Sequence, residues 1–448
     1  MPSSAQYSPA LSTPKPTVTG QHDHDSRVVA PGEIAVGVAI GRTSEYFDYF
    51  VYGIASVLVF PSEFFPFEQR LEATLWSFVV FAFAFIARPF GSFLFLVIQR
   101  RYGRVTKLTV ALFLLGTSTA GIAFLPGYDT LGWMAIVLLS VFRVGQGLAL
   151  GGSWDGLPSL LALSAPPNRR GWFAMTAQLG APIGFIMAAG LFAFFWANLS
   201  QEDFLSFGWR YPFFVAMAVN VVTLFARLRL VMTDEFEELF HTRELMPADG
   251  REFFRSQGYV VLIASFGALA SYALFHLITV FPLSWILLYS KQSISQFLGI
   301  EILGAFLGAG GMIASGVIAD RIGRRRTLGM LATLIAVFSG FAPTLLDGGT
   351  LGQDVFILVG FSLLGLSYGQ AAGAMNDSFE PRFRYTGAAF TSDLAWLFGA
   401  GFAPVVALGL SAHFGLGYVS LYLLSGAACT QLALWINRRM FARASAKQ

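Results

Sequence analysis

Residues 88–104, RPFGSFLFLVIQRRYGR, and residues 308–324, GAGGMIASGVIADRIGR, lie 220 positions apart and share one layout. Each carries an apolar run into a charged pair, Arg100-Arg101 or Asp320-Arg321, and closes on Gly103-Arg104 or Gly323-Arg324. A second echo relates Arg170-Gly171 to Thr386-Gly387 at an offset of 216. Two echoes at nearly one offset mark a duplicated unit. Because each charged turn separates two long apolar stretches, the duplicated unit is a bundle of apolar helices.

A hydrocarbon layer about 30 Å thick is crossed by about 20 helical residues. Twelve stretches reach that length, at residues 33–59, 71–98, 106–125, 131–162, 170–198 and 209–230, then 258–289, 295–319, 326–345, 353–376, 385–411 and 416–438. The expected fold is therefore an all-α membrane protein of twelve transmembrane helices in two pseudo-symmetric six-helix bundles, spanning 33–230 and 258–438. Residues 1–32 are rich in Ser, Pro, Thr and His and lack an apolar core, so they read as a disordered cytoplasmic tail rather than a secretory signal. Residues 231–257, with Asp234, Glu235, Glu237 and Glu238 ahead of Arg243, Arg251 and Arg255, read as a solvated cytoplasmic linker with a short amphipathic helix, and 439–448 as a second tail.

Composition agrees with a lipid solvent. Of the 448 residues 55% are hydrophobic and 12% charged, about half the charge usual in a soluble domain. The 47 glycines suit helices that pack through small residues. A net charge of +3 is too small to suggest nucleic acid, and the single cysteine, Cys429, excludes an intrachain disulfide. Placement of charge says more than its sum. With the amino terminus inside, Arg100, Arg101, Arg104 and Lys107 share one cytoplasmic loop, and Arg169-Arg170, Arg321 with Arg324 to Arg326, Arg382 with Arg384, and Arg438-Arg439 fall on the same side. The opposite loops carry Glu63, Glu68, Glu72, Asp129, Glu202, Asp203, Asp347 and Asp354, with Arg70 and Lys291 among few cations. The positive-inside rule then places both termini in the cytoplasm, and the expected location is a bacterial inner membrane.

The run Gly316-Val-Ile-Ala-Asp320-Arg-Ile-Gly323-Arg324-Arg325 resembles the loop signature of the major facilitator superfamily. Four further stretches resemble its metabolite:proton symporter family of organic acid and osmolyte carriers. They are Ser44-Glu-Tyr-Phe-Asp48-Tyr-Phe-Val-Tyr-Gly53, Ala87-Arg-Pro-Phe-Gly91, Arg143-Val-Gly-Gln146-Gly147-Leu-Ala-Leu-Gly-Gly152 and Phe379-Glu-Pro-Arg-Phe-Arg384-Tyr-Thr-Gly387, joined in span five by Gln178-Leu-Gly180-Ala-Pro182-Ile-Gly184. The resemblance implies gating loops built on Arg88, Gly103, Arg104, Gly316, Asp320, Gly323, Arg324 and Arg384. The chain departs from that pattern at Arg100, where an Asp is usual, at Leu96 for Gly, at Ser153 for Glu, and at Asp393 for an uncharged polar residue.

An ionisable group inside the hydrocarbon costs about 2.5–3.5 kcal/mol on insertion scales, so each needs a partner, water or a proton. Glu45 and Asp48, three apart on span one, share a helical face; two carboxylates so close in low dielectric do not easily both ionise, and one is expected to hold a proton. Arg143, on a face with Gln146, offers a planar fork either for an anionic substrate or for Asp48 or Glu45. At 1.5 Å per residue, Glu45 lies about 18 Å from the start of span one and Arg88 about 15 Å from the end of span two, so a structural Arg88–Glu45 pair is expected, with a kink at Pro89. Trp154 and Asp155 are expected to line the cavity beside Ser153. Tyr272 and His276, one turn apart on span seven, are candidates for ligand or proton contact, and Gln178 for substrate contact. Glu301, early in span eight, is expected to reach water. Asp393 and Trp396 suit a cationic or zwitterionic group, or Asp393 pairs with a cation across the cavity.

The chain has no GxxxxGK[ST], CxxC or HExxH pattern, which leaves no case for an ATPase or a metal hydrolase and implies no cofactor. The expected function is secondary active uptake of a small organic acid or zwitterionic metabolite, driven by protons, by one chain acting alone in the bilayer, with Asp48, Glu45 and Arg143 coupling proton to substrate. The alternatives are proton-driven efflux and, more remotely, a transport-like sensor.

Overall fold

The computed structural model describes residues 31–153, 161, 165–231, 246–371 and 379–445, and every regular element among them is helical. Trp154 and Asp155, the acidic run of the linker and the first thirty residues lie outside the described residues. Ten helical stretches have the length and apolarity of a membrane crossing. One of them, Arg70–Phe124, is two crossings folded at Gly103. Span one, Pro31–Leu58, supplies the twelfth; Arg42, Glu45 and Asp48 place three charged residues in its middle.

The remaining spans follow in order. Span four is Trp133–Gly152, and span five is Arg170–Thr176 continued by Gly180–Asn198. Span six is Arg210–Val231. Span seven is segmented into Gly250–Phe266, Leu269–Thr279 and Phe281–Tyr289, its first helix capped by the Asp249 carboxylate. Spans eight, nine and ten are Ile294–Ile322, Arg324–Asp347 and Gly349–Tyr368. Span eleven runs from Arg384–Ala395 through a π-helical turn, Trp396–Gly401, into Ala403–Phe414, and span twelve is Gly417–Ser445.

The two quoted stretches fold alike. Gly103 and Gly323 have φ of 85° and 89°, a region that side chains with a Cβ disfavour, and each glycine turns the chain from one crossing directly into the next. Pro89 leaves the backbone helical; the one non-helical residue of Arg70–Phe124 is Gly103.

Small residues bring equivalent helix pairs into backbone contact in both halves. A Cβ on Gly147 would collide with the Ala84 carbonyl oxygen, which joins spans four and two, and one on Gly365 would collide with the Gly308 oxygen, which joins spans ten and eight. The halves meet through span five against span eight, where Gly316 abuts Trp172 and Met175, and through span eleven against span two, where Gly401 abuts Phe85. Spans one and seven run through the middle, buried almost all round from Phe47 to Phe60 and from Leu269 to Leu283. Exposed Phe113, Phe225, Phe306 and Phe341 project from the outer helices, where apolar side chains meet lipid at no cost.

Candidate functional site

Span one carries Asp48 into the middle of the first half, where it is 3% exposed. Its Oδ1 accepts from the Thr119 hydroxyl of span three at 2.5 Å and from Asn220 Nδ2 of span six at 3.1 Å, and its Oδ2 from Gln146 Nε2 of span four at 3.2 Å. All three donors are neutral. Arg143 stands one residue further off: its Nη1 donates to Gln146 Oε1 at 3.0 Å and its Nε to the Phe81 carbonyl at 3.2 Å, while the guanidinium lies 3.8 Å from the centre of the Tyr52 ring. Arg143 is fully buried, and its Nη2 has no hydrogen-bond partner among the described residues. It therefore bonds neither Asp48 nor Glu45, and Gln146 is the relay between cation and acid.

Glu45, one turn earlier, has different company. Its two oxygens accept from Arg42 Nη1 and Arg227 Nη2, each at 2.8 Å. Glu45 and Asp48 occupy two separate environments. Glu45 is neutralised by two guanidiniums, while Asp48 sits in a neutral hydrogen-bonded cage. Arg88 lines the same cavity as Glu45 but bonds Asp393 of span eleven at 2.7 Å, with the Ser92 hydroxyl donating to the other Asp393 oxygen. Counting depth along the helices found the right level and the wrong partner. The antiparallel neighbour within the half was the obvious candidate, but the interface between halves brings Asp393 closer.

Aromatic side chains from both halves fill the midplane. The Tyr49 hydroxyl bonds His276 Nε2, whose Nδ1 lies 3.3 Å from the Thr279 hydroxyl, and the Tyr46 hydroxyl bonds that of Tyr368 and faces Gln178 Oε1 at 3.4 Å. Trp396 stacks on Phe85 and meets Tyr46, Tyr49, Tyr272 and Phe275 edge-on or tilted. A small cavity beneath this cluster is lined by Arg42, Glu45, Tyr46, Tyr49, Arg88, Leu150 and Trp396. Of the proposed contact residues, Gln178, Tyr272, His276 and Trp396 meet here, Asp48, Arg143 and Gln146 form the adjoining network, and Asp393 is held by Arg88. Glu301 does not reach water: it is fully buried, and neither oxygen has a hydrogen-bond partner among the described residues.

The loops on the basic face differ between halves. Asp320 accepts from the Gly171 and Trp172 amides at 2.6 and 3.2 Å, placing a carboxylate on the positive end of span five. At the equivalent junction, Lys107, Gln99 and the Tyr385 hydroxyl bond one another at 2.9–3.1 Å. Arg100 reaches instead to Asp249, at 2.5 Å. That hydrogen bond, with the Glu252 and Arg251 amides that Asp249 caps, holds the Asp249 carboxyl below the usual carboxylate range. Arg104, Arg324 and Arg384 open the helices that follow their turns.

Sequence reasoning missed Thr119, Asn220, Arg227, Tyr46, Tyr49 and Tyr368. A usable signal existed for two of them. Asn220 and Arg227 are seven residues apart, hence two turns along one face of a span that between them carries only Thr223 besides apolar residues.

Comparison with known proteins agrees with this architecture. The family described as Major Facilitator Superfamily matches residues 136–404, and the one described as Sugar (and other) transporter matches residues 34–237. The inner membrane metabolite transport protein YhjE of Escherichia coli K12 is 36% identical over 93% of this chain and 96% of its own length. The shikimate transporter of the same organism is 30% identical over 88% of this chain and 91% of its own. A crystal structure of a D-xylose-proton symporter superposes with a TM-score of 0.67 over 90% of this chain and 96% of that one, at 17% identity. The duplicated helical halves, the backbone-to-backbone glycine contacts and the matched sequence agree: the chain is a multi-pass membrane transporter and belongs to the Major Facilitator Superfamily.

Proposed function

We propose that this transporter takes up a small organic acid or zwitterionic metabolite together with protons, by alternating access between its two halves. The observation that carries this reading is Asp48, a buried intramembrane carboxylate held, among the described residues, by the neutral donors Thr119, Gln146 and Asn220 while a buried arginine waits one residue away. A neutral cage suits a protonated acid. Once Asp48 loses its proton, the charge left in low dielectric draws Arg143 through or past Gln146, and the Phe81 carbonyl contact is released. Proton loading and helix position are thereby linked through one side chain. The cavity beneath the aromatic cluster presents Arg42 and Arg88 as well as Glu45, a balance that favours an acidic substrate group, and the tyrosines and Trp396 offer faces and hydroxyls to a ring. The shikimate and metabolite transporters among its relatives support the substrate class, and the xylose–proton symporter supports a proton as the driving ion. The basic loops orient both termini to the cytoplasm of an inner membrane, with the division into 33–230 and 258–438 as the moving halves.

The test is uptake of labelled carboxylates and betaines, shikimate first, into vesicles containing the purified chain, with and without an imposed pH gradient. Gradient-dependent accumulation is expected for an organic acid in the wild type. Asp48→Asn should lose accumulation and keep exchange of labelled for unlabelled substrate. Accumulation that ignores the pH gradient, or that survives Asp48→Asn unchanged, overturns the reading.

A further inference from the structure

Glu301 is an acid that the coupling network around Asp48 does not use. It lies seven residues into span eight, about 10 Å along the helix from its first residue. It is fully buried and both of its oxygens lack hydrogen-bond partners among the described residues. An ionised carboxylate in that setting would forfeit its hydration with nothing in exchange. The carboxyl group is therefore neutral in this closed arrangement, whereas the same group in contact with water at neutral pH is ionised.

Its place in the fold says when water reaches it. Positions 301, 304, 308 and 312 form one stripe along span eight. Gly304 and Gly308 of that stripe press on Phe361 of span ten. Gly308 and Met312 line an apolar cavity that also touches Phe50, Ala181 and Phe185 of the first half and Phe275 and Thr279 of span seven. The stripe thus runs from Glu301 into a space that exists only between the halves, and parting them opens it to water. No other ionisable group among the described residues competes for this role. Span eight itself carries Asp320 and Arg321 at its far end. Of the elements packed against it, span five brings Arg170 and the turn before it Arg169, both at the basic face. Span seven brings His276, bonded to Tyr49, and Tyr289 at its far end. Span nine brings the Arg324–Arg326 cluster and Asp347 at its two ends, and span ten brings Asp354, bonded to Gln292, and Tyr368, bonded to Tyr46. None of them hydrogen-bonds Glu301.

We propose that Glu301 is a second proton-binding site: its carboxylate takes a proton from water as the halves close on each other and returns it to water when they part. The bond formed is the carboxyl O–H, the proton comes from solvent, and no other reactant takes part. Closure is then favoured at low pH and opening at high pH, by up to about tenfold in population per pH unit for one linked proton. The inference rests on the proton-coupled reading, yet its test needs no substrate.

The full chain, in lipid vesicles, is compared as wild type, Glu301→Gln and Asp48→Asn by infrared difference spectra between low and high pH. Two protonated-carboxyl bands are expected to disappear on raising the pH, one missing in Glu301→Gln and the other in Asp48→Asn. In parallel, Ala181→Cys is placed in the cavity on a Cys429→Ala background and its labelling by a thiol reagent is followed. With Glu301 present, labelling should rise with pH several-fold more than in the Glu301→Gln protein, whose neutral amide leaves the titration of the thiol itself and of Asp48. A band pattern and a labelling rise unchanged in Glu301→Gln overturn the proposal, whatever Asp48→Asn does. If only the Asp48-sensitive band is absent from the wild type, the coupling reading fails and this one stands.

Discussion

Glu45 and Asp48 stand one turn apart on the same helix, and their neighbours give them opposite roles. Glu45 is locked between Arg42 and Arg227, both at 2.8 Å. Removing one partner of a buried ion pair costs about 3–5 kcal/mol, mostly because the other charge is left uncompensated. Glu45→Gln strands both guanidiniums and is therefore expected to lower the thermal unfolding midpoint in detergent sharply, whereas Arg227→Met leaves Arg42 on Glu45 and costs less; adding Arg227→Met to Glu45→Gln should recover part of the loss, and purely additive effects in that double-mutant cycle would show that the pair is not coupled. What could be read in advance at this scale was the presence of charge and its helical face. Asp48, Arg143 and Gln146 were legible because an intramembrane charge announces itself in an apolar run. The partner Thr119 was not, because an isolated Thr in a span carries little penalty and its use depends on which helix packs opposite. Tyr46 and Tyr49 carry no charge to single them out within span one, and only the packed midplane reveals that their hydroxyls join Tyr368 and His276 across the halves.

Elements owe their arrangement to glycines of two kinds, and the two respond differently to substitution. Gly103 and Gly323 are needed for backbone angle alone, since a Cβ at either would meet nothing within 4 Å. Gly103→Ala and Gly323→Ala should each cost about 1–3 kcal/mol, the penalty of a positive-φ, extended-ψ conformation for a residue with a side chain. Gly365 is needed for space, because its Cβ would overlap the Gly308 oxygen of span eight. Gly365→Ala must push spans eight and ten apart, so a larger drop in unfolding midpoint and in folded yield is expected than for either turn glycine. Equal effects at the three sites would contradict the distinction. The number and order of spans were legible from apolar length, and the turn glycines from the 220-residue echo, whereas polar helix ends such as residues 250–257 at the start of span seven were not. The breaks within spans seven and eleven were not, because segmenting a helix, like the π turn at Trp396–Gly401, answers packing against the partner half rather than local composition.

At the scale of the whole molecule, the halves are held on the basic face by contacts of unequal exposure. Arg88–Asp393 is buried, whereas Arg100–Asp249 is nearly half exposed on both sides. Screening weakens the exposed pair far more, so raising salt should loosen the Arg100–Asp249 contact and leave the deeper one. Asp249 keeps its stabilising contribution above the unfolded carboxylate's pKa of about 3.9 and loses it as the pH falls through the depressed folded value. Asp249→Asn should therefore lower the unfolding midpoint slightly at neutral pH and low salt, and its difference from wild type should shrink in high salt and again in acid. Asp393→Asn is expected to shift the protein toward opening on the basic face, read as increased labelling of Leu150→Cys in the cavity, and the exchange Arg88→Asp with Asp393→Arg to reverse part of that shift. No change in labelling would mean that the latch does not bias the equilibrium.

The Arg88–Asp393 bond also decides which halves can pair. By the two repeat offsets, the residue matching Arg88 in the second half is Gly308, and the residue matching Asp393 in the first half is Ala177. Two second halves brought together would bury Asp393 opposite a glycine, and two first halves would bury Arg88 opposite an alanine, each stranding a charge within the hydrocarbon. The duplicated bundles have thereby become complementary rather than interchangeable. Cut at the linker and produced as separate polypeptides, a first half has reason to choose a second half over another copy of itself.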